Sequence, residues 1–147
     1  MITWNKSIFI NCPQQDVWNF ISNPANLVKW GSSTESAKWT SDAPHGVGST
    51  AREVGKAMGR NVEAISEITV WDPPNEHRRK YISGPLKQVE GTMKLEPKGS
   101  GTQFTASGQG TFGGPLKLVE GLFSKMSKKQ LDTDAEALKL LLESGEV

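Results

Sequence analysis

The sequence predicts an α+β fold in which a curved antiparallel sheet of about seven strands wraps around one long C-terminal helix. Two short helices are expected between the first strand and the second. Three observations lead there. The apolar spacing alternates two by two over most of the chain and changes to a three-and-four spacing only near its ends. Short polar turns divide the alternating stretches, so neighbouring strands run antiparallel. The last thirty or so residues form the longest amphipathic run, and a curved sheet leaves one face for such a helix to cover.

Ile2 to Asn11 reads as the first strand, with Trp4, Ile8 and Ile10 on one face and Asn5, Ser7 and Asn11 on the other. Cys12-Pro13 ends it, and Pro13 suits the first position of a short helix through Ser22, because its missing N–H would be unpaired there anyway. Val17, Trp18, Phe20 and Ile21 give that helix its buried side. Asn23-Pro24 repeats the arrangement for a second short helix ending near Trp30. Strands follow over Thr34 to Thr40, Gly48 to Gly55, Asn61 to Trp71, His77 to Ser83, Gln88 to Glu96 and Thr102 to Phe112. Asp42 to Gly46, Asp72 to Asn75, Gly84-Pro85 and Pro97 to Gly101 supply the turns. In the third of these strands Val62, Ala64, Ile68 and Val70 share one face, with Glu63, Glu67 and Thr69 on the other.

The final helix is expected from Pro115 to Ser144, entered through Gly113-Gly114 and left at Gly145. At 1.5 Å per residue it would be roughly 45 Å long, enough to cross a small domain. Leu116, Val119, Leu122, Phe123, Met126, Leu131, Ala135, Leu138, Leu141 and Leu142 form its apolar stripe. Gln130 and Asp134 fall near that stripe rather than opposite it. Either the helix frays or kinks there into water, or these polar groups face a cavity.

Composition excludes several classes. The chain has 147 residues, which fits one domain able to bury its own core, and a net charge of +1 that draws it neither to nucleic acid nor to anionic lipid. No apolar run approaches the ~20 residues of a membrane span. Cys12 is the only cysteine, so no internal disulfide forms, and the opening residues resemble a strand rather than a signal peptide; a cytoplasmic location is expected. No sequence signal sets an oligomeric state. His45, His77 and Cys12 lack the paired spacing of metal ligands, so no metal and no cofactor is expected. Gly108 to Gly113 is a literal G-x-G-x-x-G, but the helix after it runs to the chain end without the second strand that a dinucleotide site requires. The glycines are better read as strand bends and a helix entry.

The order of elements and several phrases resemble the polyketide cyclase/dehydrase and lipid-transport superfamily, the START-like (SRPBCC) proteins of helix-grip fold. The phrases are Ile10-Asn11-Cys12-Pro13-Gln14-Gln15-Asp16-Val17-Trp18, Asn23-Pro24-Ala25-Asn26-Leu27 leading to Trp30, Val47-Gly48-Ser49, Glu67 to Pro74, and Gly101-Thr102-Gln103-Phe104. The resemblance covers essentially the whole chain. It implies a small hydrophobic ligand (lipid, polyketide or aromatic) held in a cavity between sheet and C-terminal helix. It leaves open a cyclase or dehydrase acting in the same cavity, or an interaction module of the co-chaperone or toxin-partner kind. It supplies no catalytic motif, so catalytic residues stay unassigned.

The residues expected to line the cavity are Trp39, Trp71, Tyr81, Ser83, Met93, Phe104, Phe123, Met126 and Gln130. Indole and thioether side chains serve a ligand and a packed core equally, and the sequence does not separate the two. If chemistry occurs, Glu53, Glu67, Tyr81 and Ser83 are the candidates for proton transfer, although alternation sets Glu67 opposite Ile68 and Val70. His77 to Lys80 is expected to be a solvated strand end with a solvated basic run.

Overall fold

The computed structural model describes the backbone of residues 2–57, 59–84, 88–111 and 120–145, and their side chains except those of residues 57 and 120–127. Strand β1 (Ile2–Ile10) is followed by helix α1 (Gln14–Ile21), a 3-10 turn (Pro24–Asn26) and helix α2 (Leu27–Trp30). Strands β2 (Thr34–Trp39), β3 (Thr50–Ala57), β4 (Arg60–Asp72), β5 (Glu76–Tyr81), β6 (Gln88–Lys98) and β7 (Gly101–Thr111) come next, and helix α3 (Glu120–Ser144) closes the chain. The seven strands form one sheet in the order β1-β7-β6-β5-β4-β3-β2, antiparallel throughout. This is the helix-grip architecture that the sequence predicts. The expected helix start at Pro115 and the Gly113-Gly114 entry lie outside the described residues.

Local chemistry explains the helix ends. The Asn23 side chain accepts a hydrogen bond from the Ala25 N–H at 3.1 Å and starts the 3-10 turn. α2 ends at Gly31, where the backbone turns extended, and only glycine fits there because a Cβ would lie 2.9 Å from the Leu27 carbonyl oxygen. Strand β6 runs through Pro97, where a loop was expected. It can do so because its end projects beyond β5, which begins pairing at Lys94, so the missing N–H costs no ladder bond on that side.

Register assigns the faces. Pairing places Ile2, Trp4, Lys6, Ile8 and Ile10 of β1 level with Gly110, Gly108, Ala106, Phe104 and Thr102 of β7. Carried across the sheet, the same face holds Val89, Gly91, Met93 and Leu95, then His77, Arg79 and Tyr81. Beyond these come Ser66, Ile68 and Trp71, then Ala51 and Glu53, then Ala37 and Trp39. A bulge at Thr69 corrects the expected alternation of β4: Val70 pairs with the outward Arg78, and Trp71 turns inward opposite His77.

The core occupies one end of this inner face. Ile10, Phe104, Leu95, Val17, Trp18, Phe20, Ile21, Trp30, Leu138 and Leu142 form one buried cluster. Burying a side chain such as Phe104 or Leu138 contributes about 2 to 3 kcal/mol. Helix α3 is fixed over this end by polar contacts. The Asn11 N–H donates to the Glu143 carboxylate at 2.8 Å, Lys139 Nζ donates to the Phe9 carbonyl at 2.6 Å, and Cys12 Sγ donates to the Leu142 carbonyl at 3.1 Å. A second, small cluster at the far end joins Ile2 and Val89 with Trp4 and Tyr81.

Candidate functional site

Between the two clusters the inner face of the sheet forms a floor that carries small residues at Ala51, Ala64, Ser66, Gly91 and Gly108, interleaved with the larger Ile68, Arg79 and Glu53. Along β6, Leu95 is buried while Met93 and Gly91 are half-buried; along β1, Ile10 is buried while Trp4 and Lys6 are half-buried. The clearest sign of room lies at Gly91. A Cβ placed there meets nothing nearer than the Ser107 carbonyl oxygen at 4.0 Å among the described residues. Its neighbour Gly108 serves differently, because the Trp4 ring occupies the place its side chain would take.

At the edge of the sheet, Thr3, Trp4 and Asn5 of β1 face Lys128, Leu131 and Asp132 of α3 across a groove of about 540 Å³. That size lies within the usual range for small-molecule pockets. The Lys6–Asp132 ion pair, at 3.1 Å, bridges strand and helix beside it.

Three polar side chains project over the floor. Glu53 from β3 is 9 % exposed, and its Oε1 meets the Arg79 guanidinium from β5 at 3.1 Å. The guanidinium also lies over the Tyr81 ring, 5.6 Å from its centroid. Burial works against the charge of Arg79, but the Glu53 carboxylate, with Tyr81, outweighs it and holds the guanidinium above its ordinary pKa. Burial pushes the Tyr81 phenol up; Arg79 opposes this and Glu53 reinforces it, so the phenol stays protonated at neutral pH. Glu53 Oε2 is buried, and among the described residues no donor meets it at full hydrogen-bond geometry, although the Tyr81 hydroxyl is near enough to act on the carboxylate.

Nearer the core, an aromatic array crosses the sheet. Trp39 stacks on His45 with centroids 4.0 Å apart, and Trp71 meets Trp39 and Trp18 edge to face at 6.1 and 5.1 Å. His77 lies between Trp18 and Trp71 and is 5 % exposed. Burial, then the nearby Arg79 charge, pushes its pKa down to about 4, with the Ile21 carbonyl acting weakly the other way.

The expected lining residues are thus distributed. Tyr81 lies over the floor beside Glu53. Trp39 and Trp71 belong to the aromatic array, Met93 is half-buried on β6 opposite His77, and Phe104 is fully buried in the core against Trp30. Ser83 Oγ accepts from the Ile65 N–H at 3.0 Å, which extends the β4–β5 ladder. Gln130 donates to Ser33 Oγ at 2.6 Å, and Asp134 accepts from the Ser32 N–H at 3.0 Å. These two therefore neither fray into water nor stand free; they clamp the loop after α2. The side chains of Phe123 and Met126 lie outside the description.

Among the proton-transfer candidates, Glu67 faces outward toward Lys80, 3.7 Å away, whereas Glu53 faces inward. His77 and Arg79 correct the expectation of a solvated strand end and basic run, because both point to the interior. The signal was present. Tyr81 is two and four residues from Arg79 and His77, so strand alternation puts all three on one face. The small floor residues, Trp4, Lys6 and Leu131 were also missed.

Among the described residues no cluster of three or more metal-ligating side chains occurs, and no helix is long and apolar enough to cross a membrane. The family model for polyketide cyclase / dehydrase and lipid transport matches residues 1–143. The chain belongs to that family. Its fold is similar to that of TTHA0849 from Thermus thermophilus, at TM-score 0.83 and 22 % identity over 99 % of both chains. A START superfamily protein from Mycobacterium smegmatis matches at TM-score 0.79 and 12 % identity over 97 % of both chains. NE0264 from Nitrosomonas europaea matches at TM-score 0.74 and 15 % identity, over 99 % of this chain and 96 % of that one. At such identities the likeness concerns the fold. No protein of curated function matches the chain.

Proposed function

We propose that this family member binds a small, largely apolar molecule between the inner face of its sheet and α3. The observation that carries this reading is the room at Gly91, where a Cβ meets nothing nearer than 4.0 Å among the described residues, on a sheet face with a packed cluster at either end. A sheet that only needed a core would fill such a position with a branched or aromatic side chain. A groove between β1 and α3 opens beside Trp4, whose ring covers Gly108 next to the floor. The family, which includes lipid-transport proteins and cyclases, is consistent with such a ligand.

A titration with lipids, flavonoids and aromatic polyketides, read by native mass spectrometry, tests the reading. Stoichiometric uptake of an apolar compound is expected. An unshifted apo mass across the whole panel would remove it.

A cyclase-like enzyme is the second reading, favoured by the Glu53, Arg79 and Tyr81 group on the inner face. In an apolar site a paired carboxylate and a protonated phenol could orient a substrate and move a proton. On that reading Tyr81→Phe abolishes turnover and leaves substrate binding intact. A pure carrier shows no turnover to lose.

A further inference from the structure

β1 is an edge strand of the sheet, and its free side is covered over only part of its length. Lys139 Nζ donates to the Phe9 carbonyl at 2.6 Å, so that carbonyl turns away from β7 and toward α3. Just beyond the strand, the Asn11 N–H meets the Glu143 carboxylate at 2.8 Å. These two side chains give the edge the donor and the acceptor that a further strand would supply. Backbone groups of alternate residues in an antiparallel strand point the same way. The β1–β7 register runs unbroken from Ile2 to Ile10, so Thr3, Asn5 and Ser7 turn their N–H and C=O groups to the same side as Phe9. There the cover stops. Asp132 reaches only the Lys6 ammonium, at 3.1 Å, and Lys128 stands across the groove of about 540 Å³ from Thr3 and Asn5. Among the described residues no hydrogen bond reaches the backbone of Thr3 or Asn5 on that side.

We propose that the open edge at Thr3 and Asn5 binds a short extended segment of another protein, acidic and with apolar residues at alternate positions, as an added strand between β1 and α3. The chemistry follows from what lines the groove. The unpaired backbone groups bond the amide backbone of such a segment, whatever its sequence. Trp4 and Leu131 offer apolar surface to the side chains on its inward face, which recur every second residue. Lys6 and Asp132 neutralise each other, which leaves Lys128 to set the sign of the charge at the mouth, and it favours carboxylates. From Thr3 to Ser7 the edge spans roughly 13 Å, at about 3.3 Å per residue, so a segment of about five residues covers it. This site does not depend on a ligand over Gly91.

Blocked pentapeptides test this: acetyl-EVEVE-amide, acetyl-ELELE-amide and acetyl-EFEFE-amide, each with a counterpart methylated at its three central peptide nitrogens, and acetyl-KVKVK-amide. Calorimetric titration into the wild type should show uptake of at least one acidic peptide. Its methylated counterpart should bind about tenfold or more weakly, because the backbone donors are gone. Amide exchange at Thr3 and Asn5, fast in the free protein, should slow in the complex. Lys128→Glu, at an exposed position, should leave stability unchanged and invert the order of the acidic and lysine peptides. Absence of binding by every acidic peptide at millimolar concentration overturns the proposal and leaves the apolar-ligand reading intact. Equal affinity after methylation, or unchanged exchange at Thr3 and Asn5, overturns it too, because side chains alone then make the contact. An order of peptides that Lys128→Glu does not change overturns the acidic occupant. A solution dimer in which Thr3 and Asn5 are already protected gives the edge to a second copy and likewise overturns it.

Discussion

Acid should loosen this fold through one residue. His77 is 5 % exposed between Trp18 and Trp71, and its pKa is pushed down from 6.5 to about 4. In the unfolded chain it titrates at its ordinary value. Between these two values the unfolded state carries a proton that the folded state refuses, so stability is full above pH 6.5 and falls as the pH drops toward 4. At about 1.4 kcal/mol for each pH unit of difference, the whole effect is about 3 kcal/mol. About 2 kcal/mol of it is lost between pH 7 and pH 5, where most carboxylates are still ionised. Urea denaturation of wild type and His77→Phe at pH 7 and pH 5 measures it. The phenyl ring keeps the aromatic contacts and cannot titrate. The wild type should lose about 2 kcal/mol more than the variant over this interval. Equal losses would refute the reasoning, because His77 would then titrate alike in both states.

Other residues give equally direct tests. Glu53→Leu alone should destabilise the protein by about 3 to 5 kcal/mol, since it leaves the Arg79 charge unpaired, and Glu53→Leu/Arg79→Met should recover most of that loss in the same denaturation assay. Asp134→Ala removes the acceptor of the Ser32 N–H and should cost about 1 to 3 kcal/mol. Hydrogen exchange should then quicken at Ser32. Gly108→Ala drives a methyl group into the Trp4 ring, so it should lower the melting temperature and shift the tryptophan fluorescence, whereas Gly91→Ala should do neither.

The architecture was legible because each element announces itself locally. Alternation marks β1 and β4, proline turns separate the strands, and Asn23-Pro24 signals a capped turn. The site was only partly legible, and the reasons are specific. Arg79 lies in the run Arg78-Arg79-Lys80, which reads as a solvated patch until the pairing of Arg79 with Gly91 and Ile68 shows which face it takes. Its partner Glu53 is 26 positions away and two strands across, a distance over which the sequence carries no phase information. The bulge at Thr69 shifts the phase of β4, so that Trp71 and not Val70 joins Ile68 on the inner face. Gln130 and Asp134 are correctly marked as unusual by helical periodicity. Their partners Ser32 and Ser33 sit about a hundred residues earlier, in a loop whose path depends on tertiary packing. The floor is legible only in reverse. A hollow appears in sequence as small residues, and Ala, Ser and Gly in strands have many other causes.

The central claim is that the space over Gly91 is kept open for a ligand. Native mass spectrometry of wild type and Gly91→Leu, each titrated with the same apolar panel, tests it most directly. A Cβ at this position meets no atom closer than 4.0 Å among the described residues, so the first atom of a larger side chain is accommodated there. The account predicts that the wild type takes up one apolar molecule. The variant should stay unliganded while melting at or above the wild-type temperature. Equal uptake by both proteins, or a variant that unfolds for want of space, would contradict it.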